Sequence, residues 1–157
     1  MTVTLTISNK TISEELKDCK DLCKPDYFEI SEVDEENQTL IVKMKSRVDE
    51  EKYILKIKFD NYKEWPLYLE FIDPSTGQEG TKHAYPKCND SFFHDFPCIC
   101  NPCSRKSYGE YSAVHKDWDL VGWKQNPKVG SLTNLRTILK AIYSRINNEQ
   151  LYKGRMA

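Results

Sequence analysis

Apolar and polar residues alternate along three consecutive stretches in the first half of the chain, and the apolar ones return at helical spacing near its end. Thr39 to Lys45 places Leu40, Val42 and Met44 on one face. Tyr53, Leu55, Ile57 and Phe59 follow with the same period of two, and Leu67, Leu69 and Phe71 repeat it after Trp65-Pro66. Alternation of this kind marks a strand with one covered face. Tyr27 to Val33 supplies a further strand ahead of them, and the acidic stretches Asp34-Glu35-Glu36-Asn37 and Asp49-Glu50-Glu51 read as solvated turns. Four consecutive strands joined by short polar turns predict an antiparallel meander.

Two helices frame this meander. Thr11-Ile12-Ser13-Glu14 has the Thr and Glu of a capping box, and Leu16, Cys19 and Cys23 recur at helical intervals until Pro25. Ahead of it, Met1 to Ile7 alternates like a short strand. Cys19 and Cys23 are one turn apart, read as small residues at the edge of a core, with a shared metal as the alternative. Near the end, Leu132, Leu135, Ile138, Leu139, Ile142, Tyr143 and Ile146 trace a broad apolar stripe at helical spacing. That stripe is expected to cover the meander. The closing Leu151 to Ala157 reads as a frayed tail. The layout is one α+β domain spanning 1–157, with helices packed on one face of an antiparallel sheet.

Between Asp73 and Gly130 neither period holds for long. This run carries five of the seven prolines, four of the six cysteines and all three histidines. A long stretch without regular periodicity inside a compact domain is usually functional. With 30% charged residues and a net charge of −1, the chain has no global attraction to nucleic acid or anionic membrane. No apolar run reaches the roughly 18 residues of a membrane span. The first residues lack the basic start and apolar core of a signal peptide, so the expected location is the cytoplasm, where thiols stay reduced.

The chemistry concentrates in Phe96-Pro97-Cys98-Ile99-Cys100-Asn101-Pro102-Cys103-Ser104-Arg105, where three cysteines fall within six residues of a Pro-punctuated segment. These thiols read as presented rather than packed, which leaves a thiolate nucleophile or a metal ligand set. Cys88, His94, Cys98, Cys100, Cys103 and His115 contain enough donors for a tetrahedral zinc site, although C-x-C-x-x-C lacks the paired knuckles of a zinc ribbon. Cys100-Asn101-Pro102-Cys103 is also a C-x-x-C, but no βαβ pattern precedes it to favour redox chemistry. Gly-rich phosphate loops, G-x-S-x-G and H-E-x-x-H are absent from the sequence.

The order helix, meander, cysteine-bearing loop, helix is similar to that of ubiquitin-conjugating enzymes. Tyr53 to Phe59 followed by Trp65-Pro66-Leu67-Tyr68-Leu69-Glu70-Phe71 resembles the strands flanking that family's proline turn, with one proline retained. Gly130 to Leu139 resembles the helix after its active-site loop. Cys98 to Tyr108 and His115-Lys116-Asp117-Trp118-Asp119-Leu120-Val121-Gly122-Trp123 resemble the short bacterial members found in CBASS antiphage operons beside a cGAS-like nucleotidyltransferase. The family's His-Pro-Asn has no counterpart; His94-Asp95-Phe96 is the nearest candidate.

The resemblance implies an acyltransferase that needs no cofactor or metal, whose cysteine accepts the C-terminal glycine of a protein partner as a thioester. The expected partner is the nucleotidyltransferase. By its place in the pattern, Cys100 is the nucleophile and Cys103 the second candidate. Thiolate is the reactive form of such a cysteine, and a transferring thioester also needs donors for its tetrahedral oxyanion. Irregular backbone around Asn101-Pro102, and the Asn101 side chain, are expected to supply those donors. Arg105 is expected to lower the thiol pKa or to meet an acidic partner. His115 is the candidate base, ahead of His94 and His83, while Trp118 and Trp123 are expected as lids. The last residue is not glycine, so the chain is expected to carry the acyl group and not to be the conjugated protein. The contrasting reading is a catalytically silent binding module whose cysteine loop is held by zinc or by packing.

Overall fold

A computed structural model describes residues 3–111 and 115–157. The chain forms an α+β domain in which helix α1 (Val3–Lys17) precedes strands β1 (Phe28–Ile30), β2 (Thr39–Lys45), β3 (Lys52–Lys58) and β4 (Tyr68–Ile72). These four pair antiparallel in sequential order. The register sets Leu40 opposite Ile57 and Leu55 opposite Phe71, so every inward residue of the alternating pattern reaches one face. Helix α2 (Leu135–Ile146) buries Leu135, Ile138, Leu139, Ile142 and Ile146 in the same core. Asn134 caps it, its side-chain oxygen accepting from the Thr137 N–H at 3.0 Å. Among the described residues, no helix is long and apolar enough to cross a membrane.

Two expectations at the chain ends are corrected. Where alternation suggested a strand up to Ile7, α1 already runs from Val3, while Met1 and Thr2 lie outside the described residues. Ser8, Asn9 and Ile12 fall on its buried side, and the two polar residues there hide the helical period. Thr11 is consequently an interior residue, its hydroxyl donating to the Ile7 carbonyl at 2.9 Å instead of capping. At the other end, Tyr152–Arg155 is not frayed but forms β8, antiparallel to β5 (Pro86–Cys88). The Tyr152 hydroxyl meets that of Tyr53 at 2.6 Å and donates to Asp49, which anchors the terminus to the sheet.

Glu15 ties the two helices together. Its carboxylate accepts from the Tyr62 hydroxyl (2.7 Å), the Lys63 ammonium (3.0 Å) and the Leu135 N–H at the start of α2 (2.7 Å). A negative charge at a helix N-terminus is favourable, and this one also satisfies an otherwise unpaired backbone donor.

The stretch from Asp73 to Gly130 contains short paired pieces: β5, the hairpin β6 (Phe93–His94) with β7 (Cys98–Ile99), and single helical turns such as Arg105–Ser107. It closes the open edge of β4, because Ser104 bridges Leu67 in parallel and the Arg105 N–H donates to the Leu67 carbonyl at 2.9 Å. The cysteine segment is thereby fixed against the sheet.

Candidate functional site

Cys100 leaves the hairpin directly after β7. Its N–H donates to the Phe92 carbonyl at 2.7 Å, and the following Asn101 N–H returns to Ile99 at 3.0 Å. Cys100 is therefore the apex of a γ-turn. The turn directs its side chain towards His115, whose own backbone is placed by a bond from its N–H to the Ser107 carbonyl at 3.1 Å. Cys100 Sγ and His115 Nε2 are 3.3 Å apart. The imidazole lies flat on Trp118, with ring centroids 3.6 Å apart and planes within 7°. That stack fixes the plane of the ring, so its Nε2 edge faces the thiol. With the proton on Nδ1, Nε2 is the acceptor for the thiol proton.

Both groups are held neutral around pH 7. Burial pushes the Cys100 thiol above its ordinary 9.0, against a smaller opposing effect from the Lys128 charge. Burial, and then Lys128 and His94, pull His115 below its ordinary 6.5, with Asp117 acting the other way. The pair is thus a thiol beside a free imidazole base, not a preformed ion pair.

The expectation that three presented cysteines form the motif is corrected. Cys98 and Cys103 are fully buried, and only Cys100 is partly open. The alternation of β7 turns Cys98 inward, where burial raises its thiol to about 11. Cys103 packs in the core, its thiol pushed up to about 12 by burial. A thiol that basic and enclosed is a poor nucleophile and a poor resolving partner for a C-x-x-C. Cys19 and Cys88 are also buried, each raised to about 11, whereas Cys23 is exposed. Alkylation of the native protein at pH 8 is therefore expected to modify Cys23 and then Cys100, leaving the other four intact until unfolding. Peptide mapping checks this, and native modification of Cys103 would contradict it.

Arg105 does not approach the thiol. Its guanidinium grips both oxygens of Asp60 at 2.9 and 2.8 Å and the Pro66 carbonyl at 3.0 Å. It is a buried anchor of the loop, and Lys128 is the cation whose field reaches Cys100. Backbone donors near the thiol are already engaged: the Asn101, Cys103 and Ser104 N–H groups bond to Ile99, the Asn101 side chain and the Asn101 carbonyl, and Pro102 has none. Asn101 Oδ1 accepts the Cys103 N–H at 2.9 Å while Nδ2 donates to the Lys128 carbonyl at 3.2 Å. A carboxamide nitrogen has two hydrogens, so one Asn101 N–H is without a partner among the described residues. Sequence reasoning passed over Lys128, since a lone surface lysine in a loop carries no motif.

Of the other candidates, His94 lies on β6 opposite Cys98 and accepts the Phe96 N–H at 3.0 Å. His83 contacts the carbonyl of Met156, the residue after β8, at 3.2 Å. Trp123 is wholly buried and donates to the Lys63 carbonyl at 3.1 Å, so of the two tryptophans only Trp118 meets the pair. Among the described residues, no group of three or more His, Cys, Asp or Glu side chains converges as a metal site. The residues proposed for zinc do not fit it. No family model, curated protein or solved structure matches the chain.

Proposed function

We propose that the protein is a ubiquitin-conjugating-enzyme-like thioester carrier, in which Cys100 accepts the C-terminal glycine of a partner protein, as in antiphage systems built around a cGAS-like nucleotidyltransferase. The observation that carries this reading is the Cys100–His115 contact, in which the partly exposed thiol of the cysteine loop meets an imidazole at 3.3 Å. The order of helix, four-stranded meander, cysteine loop and covering helix supports the family layout.

The step is an acyl exchange. Cys100 Sγ attacks the carbonyl of an incoming glycyl thioester as its proton passes to His115 Nε2. The tetrahedral oxyanion is met by the free Asn101 N–H and by the Lys128 ammonium. When it collapses, the C–S bond to the donor breaks and the departing thiolate takes the proton from His115. The buried Cys103 has no part in the exchange.

The pH profile tests this division of labour. Between the lowered pKa of His115 and the raised pKa of Cys100 the reacting pair keeps one proton, so acylation by a glycyl-thioester peptide is expected to be level from pH 7 to about 9. Below that window it falls as His115 protonates, with a midpoint under 6.5. In His115→Ala the plateau is expected to vanish and the rate to climb with hydroxide through pH 9, because only free thiolate then reacts. Superimposable profiles for the two proteins would overturn the role of His115, and acylation of Cys100→Ala at the wild-type rate would overturn the carrier.

A further inference from the structure

On the face of the sheet turned away from the core, β3 and β4 form the floor of a cleft of about 630 Å³ walled by the segment from Arg105 to Tyr111. Its volume falls in the range of small-molecule sites. Lys56 stands opposite Glu70 and Lys58 opposite Tyr68 across the two strands. The Lys56–Glu70 register does not become an ion pair. Lys56 instead meets Glu79 at 2.9 Å, and Glu70 is taken by the buried Lys106 ammonium and by the Tyr85 hydroxyl at 2.7 Å.

The hydrogen-bond inventory of this cleft is one-sided. Both oxygens of Glu70 are occupied, both oxygens of Asp60 are held by Arg105, and Glu79 is held by Lys56. One oxygen of Glu79 stays open, and the rest of the spare capacity lies mainly on donors. Lys58 enters none of these pairs, the ammonium groups of Lys56 and Lys106 each have three hydrogens, and among the described residues the Tyr68 hydroxyl has no partner. Beside them the rings of Tyr68 and Tyr111 lie 5.6 Å apart at 55°, forming an open aromatic wall. Arg105, stacked 5.9 Å from one ring and 5.8 Å from the other, keeps that wall in place.

We propose that this cleft binds a small anionic ligand, a phosphate or carboxylate carried on a flat apolar group, with the anion against Lys56, Lys58 and Lys106 and the flat group against Tyr68 and Tyr111. The lining carries the cations Lys56, Lys58, Arg105 and Lys106 against the carboxylates Asp60, Glu70 and Glu79, and among the described residues Lys58 is the cation left without a carboxylate partner. The ion pair of Lys106 and Glu70 is buried at the cleft floor, where two apolar residues would have been a simpler choice for stability. There it holds one ammonium at a fixed place in the cleft lining. The site does not depend on the reading of Cys100.

Titration with phenyl phosphate, benzoate and inorganic phosphate, followed by amide chemical shifts, tests the proposal. Phenyl phosphate or benzoate is expected to saturate with a Kd below about 1 mM, with shifts confined to Lys56, Lys58, Gly80 and Tyr111. The better of the two assigns the anion. Lys58→Glu, an exposed change, is expected to weaken binding about tenfold, since one favourable charge contact becomes unfavourable. Lys52→Glu, on the same strand but roughly 20 Å away, is expected to stay within about twofold. Tyr68→Leu is expected to remove the preference for phenyl phosphate over inorganic phosphate. Equal weakening by Lys58→Glu and Lys52→Glu would reduce the effect to general attraction and overturn the site, as would the absence of saturable shifts with both aromatic anions.

Discussion

Cys100→Ala is expected to leave no acyl exchange at all, while Cys103→Ala retains it and His115→Ala slows it by about 10²–10⁴-fold near pH 7.5. These three outcomes follow from different features of one loop. In the proposed exchange, removing Cys100 takes away the atom that forms the new bond, and the remaining exposed thiol, Cys23, lies on a turn after α1. Removing His115 leaves the thiol in place but forces it to ionise unaided, against the burial that raises its pKa. The remaining donors near the sulfur, Asn101 and Lys128, then supply what catalysis is left. Cys103 is part of the core, so its truncation acts on stability and not on exchange. Single-turnover acylation by a glycyl-thioester peptide separates the three. A Cys103→Ala protein that folds but cannot be acylated would move the nucleophile.

Lys106→Met is expected to destabilise the fold by about 3–5 kcal/mol, because it leaves the Glu70 carboxylate buried without its counter-charge. The side chains of this pair are only 9% and 6% exposed. For a domain of this size, that loss corresponds to a fall in Tm of roughly 10 °C. The double variant Lys106→Met/Glu70→Gln is expected to recover part of it, since the neutral amide still accepts from the Tyr85 hydroxyl without burying a charge. Thermal unfolding of the two variants against the wild type checks this. A change below about 1 kcal/mol in the single variant would mean that water reaches the pair.

Much of the scaffold is legible in the sequence, and the reason is local. Thr39–Lys45 forms β2 over the very residues its alternation marks, because one face meets core and the other meets solvent without interruption. The stripe of α2 is equally plain, with only its start shifted from Leu132 to Leu135 by the Asn134 cap. The illegible parts are those whose partners are distant in sequence. The strand at Tyr152–Arg155 carries a glycine and three polar or charged side chains, and exists because Pro86–Cys88 offers an edge. Ser8 and Asn9 on the buried side of α1 break the period that would have extended the helix to Val3.

The cysteine segment shows the same division. Clustered thiols between prolines single out the stretch as candidate chemistry, but the stretch does not reveal that β7 turns Cys98 inward or that Cys103 enters the core. Arg105 beside a cysteine suggested an electrostatic role at sulfur. Its carboxylate partner, Asp60, is 45 positions away in sequence, and only the fold closes that distance. His115 and Cys100 are each visible as reactive residue types. Their 3.3 Å contact depends on the turn at Cys100, the bridge at Ser107 and the stack on Trp118.

The carrier reading is tested most directly by intact mass of the protein recovered at acid pH from the cells that make it, split into aliquots with and without reductant and mapped by fragmentation. The expected result is an adduct of protein mass on Cys100, ending in glycine at the linkage and released by thiol. Unmodified protein under these conditions, or an adduct that maps to Cys23 and not to Cys100, would contradict it and favour a catalytically silent module held together by its packed cysteine loop.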